Sequence, residues 1–495
     1  MRSQLITGSL WLTAAKAFTT VIGFLSTVVL ARLLVPEDFG LIAIATATVA
    51  IVNAVTDLPV AVALFQIREP TRADYDTAWT LSTLRGVLVM LVLAAASPLI
   101  AAGAGDERLI PVLIALSVSP LFMGALNPYF VNFERQLIFS KNFVMEAVSK
   151  IGSVIVSAAI AFVFRSYWAL VAGPVAMALI SMIVSYAMAP YLPRPNLASI
   201  RAFWGFASWL TLVSIVNTLN QRIDQFVVGH MLGQRTLGYF SVGTDIANLI
   251  HAPVTPVMRA LYAGFSQVRD DRPALLSAYR KSQRFLGSFA PPFGFGLGLV
   301  AEPVVRLTLG EIWVPAAIVI QILAPVLALE LLAGATYPLV MSQGNTRALF
   351  WRDLMVLLFR LPLMAAGIVW FGLVGLLVAR AAASIFGLIV NIQLAHRSIG
   401  LPFRDLAAGT WRPLCGVAAM TAALLSLHVA VPPSTQPLLF AVIAIPIGAL
   451  IHCGTVLLLW FFWGSNDDFE ADALRIAGRL VGKPVLGDGN DRAVR

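Results

Sequence analysis

The sequence predicts an all-α, polytopic membrane protein: about fourteen transmembrane helices, arranged as two six-helix lobes in parallel pseudo-repeat plus a C-terminal helix pair. Three observations predict it. Of 495 residues, 59% are hydrophobic and only 12% are charged, too little charge to cover a water-facing surface of that size. Apolar runs of about 18 residues or more, the length that crosses ~30 Å of hydrocarbon, fill nearly the whole chain. The corner LARLLVPEDFGL at 30–41 is echoed by VGHMLGQRTLGY at 228–239, 198 positions later. Helices alone satisfy every backbone group over such long apolar segments, and the short alternating strands of a membrane barrel are absent from the pattern.

Taken in order, the predicted spans are 8–33, 39–65, 78–102, 109–130, 142–164 and 167–189, then 204–230, 236–264, 285–308, 313–341, 350–370 and 372–395, and finally 412–430 and 437–463. The opening MRSQLITGSLWLTAAKAF has the start of a signal peptide, but its apolar character continues to Leu34, too far for a cleaved leader. The connections alternate in charge. About 22 basic residues fall on one side and about 4 (Arg32, Arg108, Arg165 and Arg235) on the other, which places both termini in the cytoplasm. The outer connections, such as PED, GDER and VPPSTQ, are short; the longest inner pieces are Ser266–Arg284 and the tail from Ser465. In that tail Phe469, Ala473, Ile476 and Leu480 share one helical stripe, the pattern of an interfacial helix. The domain division is therefore 1–195, 196–400, 401–464 and 465–495. The net charge of +9 is loop charge facing anionic lipid, not a nucleic-acid footprint. Cys415 and Cys453 lie inside apolar stretches and read as small core residues, with neither disulfide nor metal spacing.

Each echoed corner reads as an apolar helix end, a short polar turn, a glycine and a new apolar run, with Leu34 matching Leu232, Phe39 matching Leu237 and Gly40 matching Gly238. Six spans separate them. Six is even, so the halves run the same way through the membrane, and a parallel repeat of this kind places a substrate site between the halves near the midplane.

Charge within spans is the strongest functional signal, because a mid-bilayer charge costs roughly 2.5–3.5 kcal/mol even on the lenient scale. Lys150, Glu146 and Arg259 lie near the cytoplasmic ends of their spans, and Arg306 and Glu302 near the outer ends, where they can snorkel. Lys16, Arg85, Arg222, Arg259, Arg360 and Arg380 are the candidates for holding an anionic substrate, because guanidiniums match phosphate oxygens in pairs. Asp57, Asp224, Asp245 and Glu330 are the candidates for balancing that charge or binding a coupling proton or sodium ion. Arg222 and Asp224, two apart, point to different faces of one helix. The expectation is a cationic chamber between the lobes. Prolines such as Pro256, Pro291, Pro292 and Pro362, and GFGLG at 294–298, suit lobes that rock.

LARLLVPEDFG, TDLPVAVALFQ, TAWTLSTLRG, RQLIF and LNQRIDQFVVGHMLGQRTLGYFSVG together resemble the Wzx-type oligosaccharide flippases of the multidrug/oligosaccharidyl-lipid/polysaccharide exporter superfamily, over about residues 1–465. One departure is Asp57-Leu58-Pro59, where members often carry glycine after the aspartate. The resemblance implies a polyprenyl-pyrophosphate-linked oligosaccharide as substrate, passed across a bacterial inner membrane for exopolysaccharide, capsule or O-antigen synthesis, with other polysaccharide assembly proteins as partners. Two alternatives remain. A cation-coupled drug antiporter of the same superfamily would want an anionic cavity. A membrane-embedded polymerase or ligase would display a large outer loop. GRLVGKP at 478 lacks the spacing of a nucleotide-binding loop, and no His/Cys/Asp cluster has metal spacing, so the expectation is no enzyme, no metal and no cofactor.

Overall fold

The computed structural model describes residues 2–57, 69–136, 138–200, 208–432 and 436–463, with positions 60, 64 and 67. All regular elements among them are helices. Those of the first half are α1 (Arg2–Leu33), α2 (Pro36–Val55), α3 (Arg72–Ala104), α4 (Leu109–Leu116), α5 (Val118–Gly124), α6 (Val131–Arg135), α7 (Phe139–Phe164) and α8 (Trp168–Met188). Then come α9 (Ser208–Ala247), α10 (His251–Gln267), α11 (Arg272–Leu299), α12 (Ala301–Thr308), α13 (Ala317–Glu330), α14 (Thr336–Ser342), α15 (Thr346–Ile399), α16 (Phe403–Ala430) and α17 (Pro437–Trp463). Nine helical stretches among the described residues are long and apolar enough to cross a membrane, or eleven if each of two bent pairs is one span. The predicted interfacial helix of the tail lies outside the described residues, as do Leu58 and Pro59.

Local chemistry sets the helix ends. Pro36 opens α2 with its ring pre-shaped for the first turn, and Glu37 and Asp38 meet the positive end of the helix. The Asp271 carboxylate accepts the Ala274 N–H at 3.1 Å and starts α11. Gly105 and Gly400 end α3 and α15 in the left-handed conformation. Hydropathy predicts an inner connection over Ser266–Arg284. Helix occupies most of it instead, because α11 begins well before its apolar part and buries Leu275, Tyr279 and Gln283. Hydropathy marks the crossing and not the helix end. The predicted fourth and ninth spans are bent, by 56° between 109–124 and 128–135 and by 63° between α11 and α12.

The echoed corners differ from their prediction in a useful way. Gly40 and Gly238 are not turn residues. Both lie inside helices, and the reversal in α9 falls at Gly233 (φ 81°, ψ 170°). They are glycine because α2 and α9 touch there. A methyl group on Gly40 would sit 1.9 Å from the Gln234 carbonyl oxygen, and one on Gly238 would sit 1.9 Å from the Pro36 carbonyl oxygen. Pro36 and Gln234 are themselves 198 apart, so the contact is reciprocal, as across a two-fold axis. On that axis a residue meets its own counterpart. Glu37 and Arg235, again 198 apart, form an ion pair at 3.4 Å. A true repeat would have set like charges there. Trp313 reinforces the seam, its indole donating to the Ala31 carbonyl at 2.8 Å and its ring lying edge-on to Phe39.

Asp106 also reaches this seam, accepting from Gln234 at 2.7 Å and from Arg108 at 2.7 Å. Burial raises its pKa, but the hydrogen bonds from Arg108 and Gln234 outweigh it and hold the carboxyl below its ordinary value. A folded value below the unfolded one means the stabilisation is complete above the unfolded carboxylate pKa and is lost as pH falls through the folded one. The gap in melting temperature between the parent and Asp106→Asn therefore narrows below about pH 4. A gap unchanged from neutral pH into that acid range would refute it.

At the other end, residues 189–200 are stitched to α3. Asp76 accepts from the Tyr191 hydroxyl at 2.7 Å and the Arg194 N–H at 2.8 Å, and Thr80 accepts the Asn196 N–H at 3.0 Å. These bonds explain why Asp76 and Thr80 can be buried.

Candidate functional site

A polar stripe on α9 begins the site. Asn217, Asn220, Gln221 and Asp224 recur at three- and four-residue spacing and share one face. Two stripes on α15 meet it: Arg352, Asp353 and Arg360 before the reversal at Gly372, and Arg380, Ser384 and Asn391 after it. Gly372 adopts φ 58°, ψ −137°, and the two arms of this helical hairpin close tightly because Gly367 and Gly375 meet backbone to backbone. Sequence spacing alone puts these charges on separate spans; the hairpin brings them onto one wall.

Asp224 is fully buried and sits between two guanidiniums. Arg360 and Arg380 both donate to its Oδ2, and its Oδ1 has no partner among the described residues. Arg360 also donates to the Asn220 carbonyl at 2.6 Å. Asn220 in turn donates to the Asp353 carbonyl at 3.0 Å, and Asp353 pairs with Arg352. Arg352 also donates to Asn391 at 3.0 Å. Ser384 donates to Glu330 from α13. His251, at the start of α10, lies within electrostatic reach of Glu330 and Arg380. Apart from the buried Asp224, these groups line a cavity of about 270 Å³ within the second half of the chain.

Four of the ten predicted residues, Asp224, Glu330, Arg360 and Arg380, thus meet in one place. The others do not join them. Arg85 pairs with Asp57 at 3.4 Å and donates to the Asn53 carbonyl at 2.9 Å. Arg222 is half-buried and faces the exposed Asp245 electrostatically. Lys16 on α1 and Arg259 on α10 are exposed and have no ion pair among the described residues. The ten residues expected around one cationic chamber are thus not gathered in one place among the described residues: the densest cluster lies inside the second half, and its guanidiniums are paired with carboxylates. Arg352, Asp353, Asn220 and Ser384 are outside the predicted set. The three-and-four spacing of polar residues in otherwise apolar helices is the signal that could have found them.

A second and larger hollow is apolar. It is a groove of about 720 Å³ between α11, α16 and α17, lined by Phe289, Phe293, Leu297, Met420 and Leu457 among others. His452 stands in its wall with Nδ1 unpartnered among the described residues. No group of His, Cys, Asp and Glu among the described residues is placed to hold a metal ion.

The family model described as polysaccharide biosynthesis protein matches residues 29–318, more than half of the chain. The protein belongs to that family. This polysaccharide biosynthesis protein is 22% identical over 423 residues to the lipopolysaccharide biosynthesis protein WzxC of Escherichia coli, covering 83% of this chain and 85% of that one. It is 24% identical to the succinoglycan biosynthesis transport protein ExoT of Rhizobium meliloti, over 69% of this chain and 70% of the relative. Among solved structures, the lipid II flippase MurJ in an inward closed conformation superposes with a TM-score of 0.72 at 14% identity, covering 91% of this chain and 98% of MurJ. An inward-facing multidrug resistance transporter of the MATE family superposes at 0.53 and 12% identity, over 76% of this chain and 94% of that one. The family member described here therefore shares the all-helical membrane fold of MurJ and MATE proteins.

Proposed function

We infer that the protein is a flippase that carries a polyprenyl-pyrophosphate-linked oligosaccharide from the cytoplasmic to the outer leaflet of a bacterial inner membrane, by alternating access. The reading takes the chain as fourteen spans. α9 with α10, and α15, each contribute two across Gly233 and Gly372, and each bent pair counts as one. Spans one to six and seven to twelve form the two lobes, with α16 and α17 as the added pair. The reciprocal packing of Gly40 on Gln234 and Gly238 on Pro36 supports lobes related by a pseudo-two-fold axis. The excess of basic connections supports cytoplasmic termini, which puts the Gly40–Gly238 seam on the outer side. With that seam closed, the substrate enters from within.

The observation that carries the proposal is a pair of unneutralised cations within spans. Lys16 and Arg259 lie on α1 and α10, which pack against each other from opposite lobes, and neither has a carboxylate partner among the described residues. A charge within a span and without a carboxylate partner suits an anion that comes and goes. A diphosphate supplies the anion, and the apolar groove beside α16 and α17 suits an isoprenoid chain that never leaves the hydrocarbon. Cationic drugs are the wrong sign for Lys16 and Arg259.

A deletion strain should accumulate lipid-linked oligosaccharide on the cytoplasmic leaflet. Because Lys16 and Arg259 are exposed, Lys16→Gln and Arg259→Gln should leave insertion and melting nearly unchanged while cutting surface polysaccharide at least tenfold, a loss of about 1.4 kcal/mol or more in transport. Normal polysaccharide from both variants at equal expression would sink the assignment.

A further inference from the structure

Arg352, Arg360 and Arg380 line the cavity of the second lobe together with Asp353 and Glu330, and Asp224, buried behind Arg360 and Arg380, completes the balance of three positive and three negative charges. The cavity is therefore neutral as it stands and offers a passing anion nothing, although its walls also carry Asn217, Gln221 and Ser384. Asp224 is the reason. A carboxylate fully removed from water normally has both oxygens bonded. Here one oxygen takes both Arg360 and Arg380, and the other takes no donor among the described residues. That lopsided pairing gives the two arginines a common focus, which a phosphate oxygen could take over.

We propose that Asp224 is a displaceable counter-anion: the diphosphate of the substrate takes Arg360 and Arg380 from it, and a proton drawn in with the substrate neutralises the released carboxylate. The idea rests on the flippase reading above and gives the second lobe its part in it. No substrate bond is made or broken. The carboxylate and one proton become the carboxylic acid, and two guanidiniums exchange one anion for another. A buried carboxylate stripped of both partners cannot stay charged at reasonable cost, so anion entry and proton uptake are one event. The cavity of about 270 Å³ has room for a diphosphate group beside its polar walls.

Among the described residues the charged and titratable groups around Asp224 are few. From α15 they are Arg360 and Arg380, with the Arg352–Asp353 pair beyond Asn220. From α13 comes Glu330, from α10 His251 and from α14 Tyr337, all lining the same cavity. On α9 itself Arg222 faces Asp245. None of these gives Asp224 a second cation to turn to once both guanidiniums leave.

The test uses the purified full chain in lipid nanodiscs, with inorganic pyrophosphate and farnesyl pyrophosphate as probes. Calorimetry in two buffers of different ionisation enthalpy should register proton uptake on binding by the unaltered protein. Asp224→Asn should bind about tenfold tighter or more, since the competing charge is gone, and should take up no proton. Asp224→Glu, which keeps a carboxylate, should restore weak, proton-linked binding. Tightening for both probes supports the proposal and assigns recognition to the diphosphate; tightening for farnesyl pyrophosphate alone supports it with the lipid as part of the ligand. Binding to Asp224→Asn that is no tighter, or proton uptake that persists in it, overturns the proposal. Proton uptake is read on the unaltered protein, so its absence is decisive even if a variant fails to fold. The flippase reading fails separately, if a deletion strain accumulates no lipid-linked oligosaccharide.

Discussion

A protein carrying Gly238→Val should insert into the membrane and export no polysaccharide, while Gly264→Ala behaves as the parent. The reason is geometric. Even a methyl group at 238 would lie 1.9 Å from the Pro36 carbonyl oxygen, and the obstacle is backbone, which has no rotamer to turn aside. Overpacking of this kind costs about 1–3 kcal/mol where side chains can adjust, and more where they cannot. The helices must part, and with them go the Glu37–Arg235 pair and the Asp106–Gln234 bond. Gly40→Val should do the same from the other side, against the Gln234 carbonyl. Because both act on one seam, the double variant should fall short of the sum of the two. At Gly264 nothing lies within 4 Å of an added methyl, and alanine there only improves helix propensity, by up to about 1 kcal/mol. Cysteine crosslinking across the seam would report the separation. Wild-type export from Gly238→Val would show that the seam need not close.

The second large effect is an asymmetry around Asp224. Asp224→Ala strips the counter-charge from the buried Arg360 and the largely buried Arg380 at once and should destabilise the protein by about 3–5 kcal/mol. Arg360→Ala or Arg380→Ala each leaves the other arginine on the carboxylate and should cost clearly less. Thermal unfolding in detergent measures the order, and inorganic pyrophosphate should recover part of the loss in Asp224→Ala by supplying the missing anion. If Arg360→Ala proves as damaging as Asp224→Ala, the carboxylate is not the hub.

Much of the fold is legible in the residues alone. The helical class follows from the length of the apolar runs, and the family resemblance from LARLLVPEDFG and LNQRIDQFVVGHMLGQRTLGYFSVG. The echo at 198 positions marks the place where α2 and α9 meet, although as a linear pattern it reads as a pair of turns. A glycine excused by a turn and a glycine demanded by a neighbouring helix look alike in one dimension. The charged residues within spans are legible too. Their pairing is not, because Asp224 lies 136 residues from Arg360 and 156 from Arg380, and no local rule links positions that far apart.

Three properties of this chain thus belong to its segments: that it lives in a bilayer, that it is helical through its apolar length, and which side chains carry charge into the hydrocarbon. Transfer free energy and backbone hydrogen bonding set them within about twenty residues, so the order of amino acids is enough. Which of those charges are already spent on one another, and which, like Lys16 and Arg259, keep no carboxylate among the described residues, is a matter of packing. Charge neutralisation in a low-dielectric interior depends on distances of a few ångströms between helices far apart in the chain, and only folding sets those.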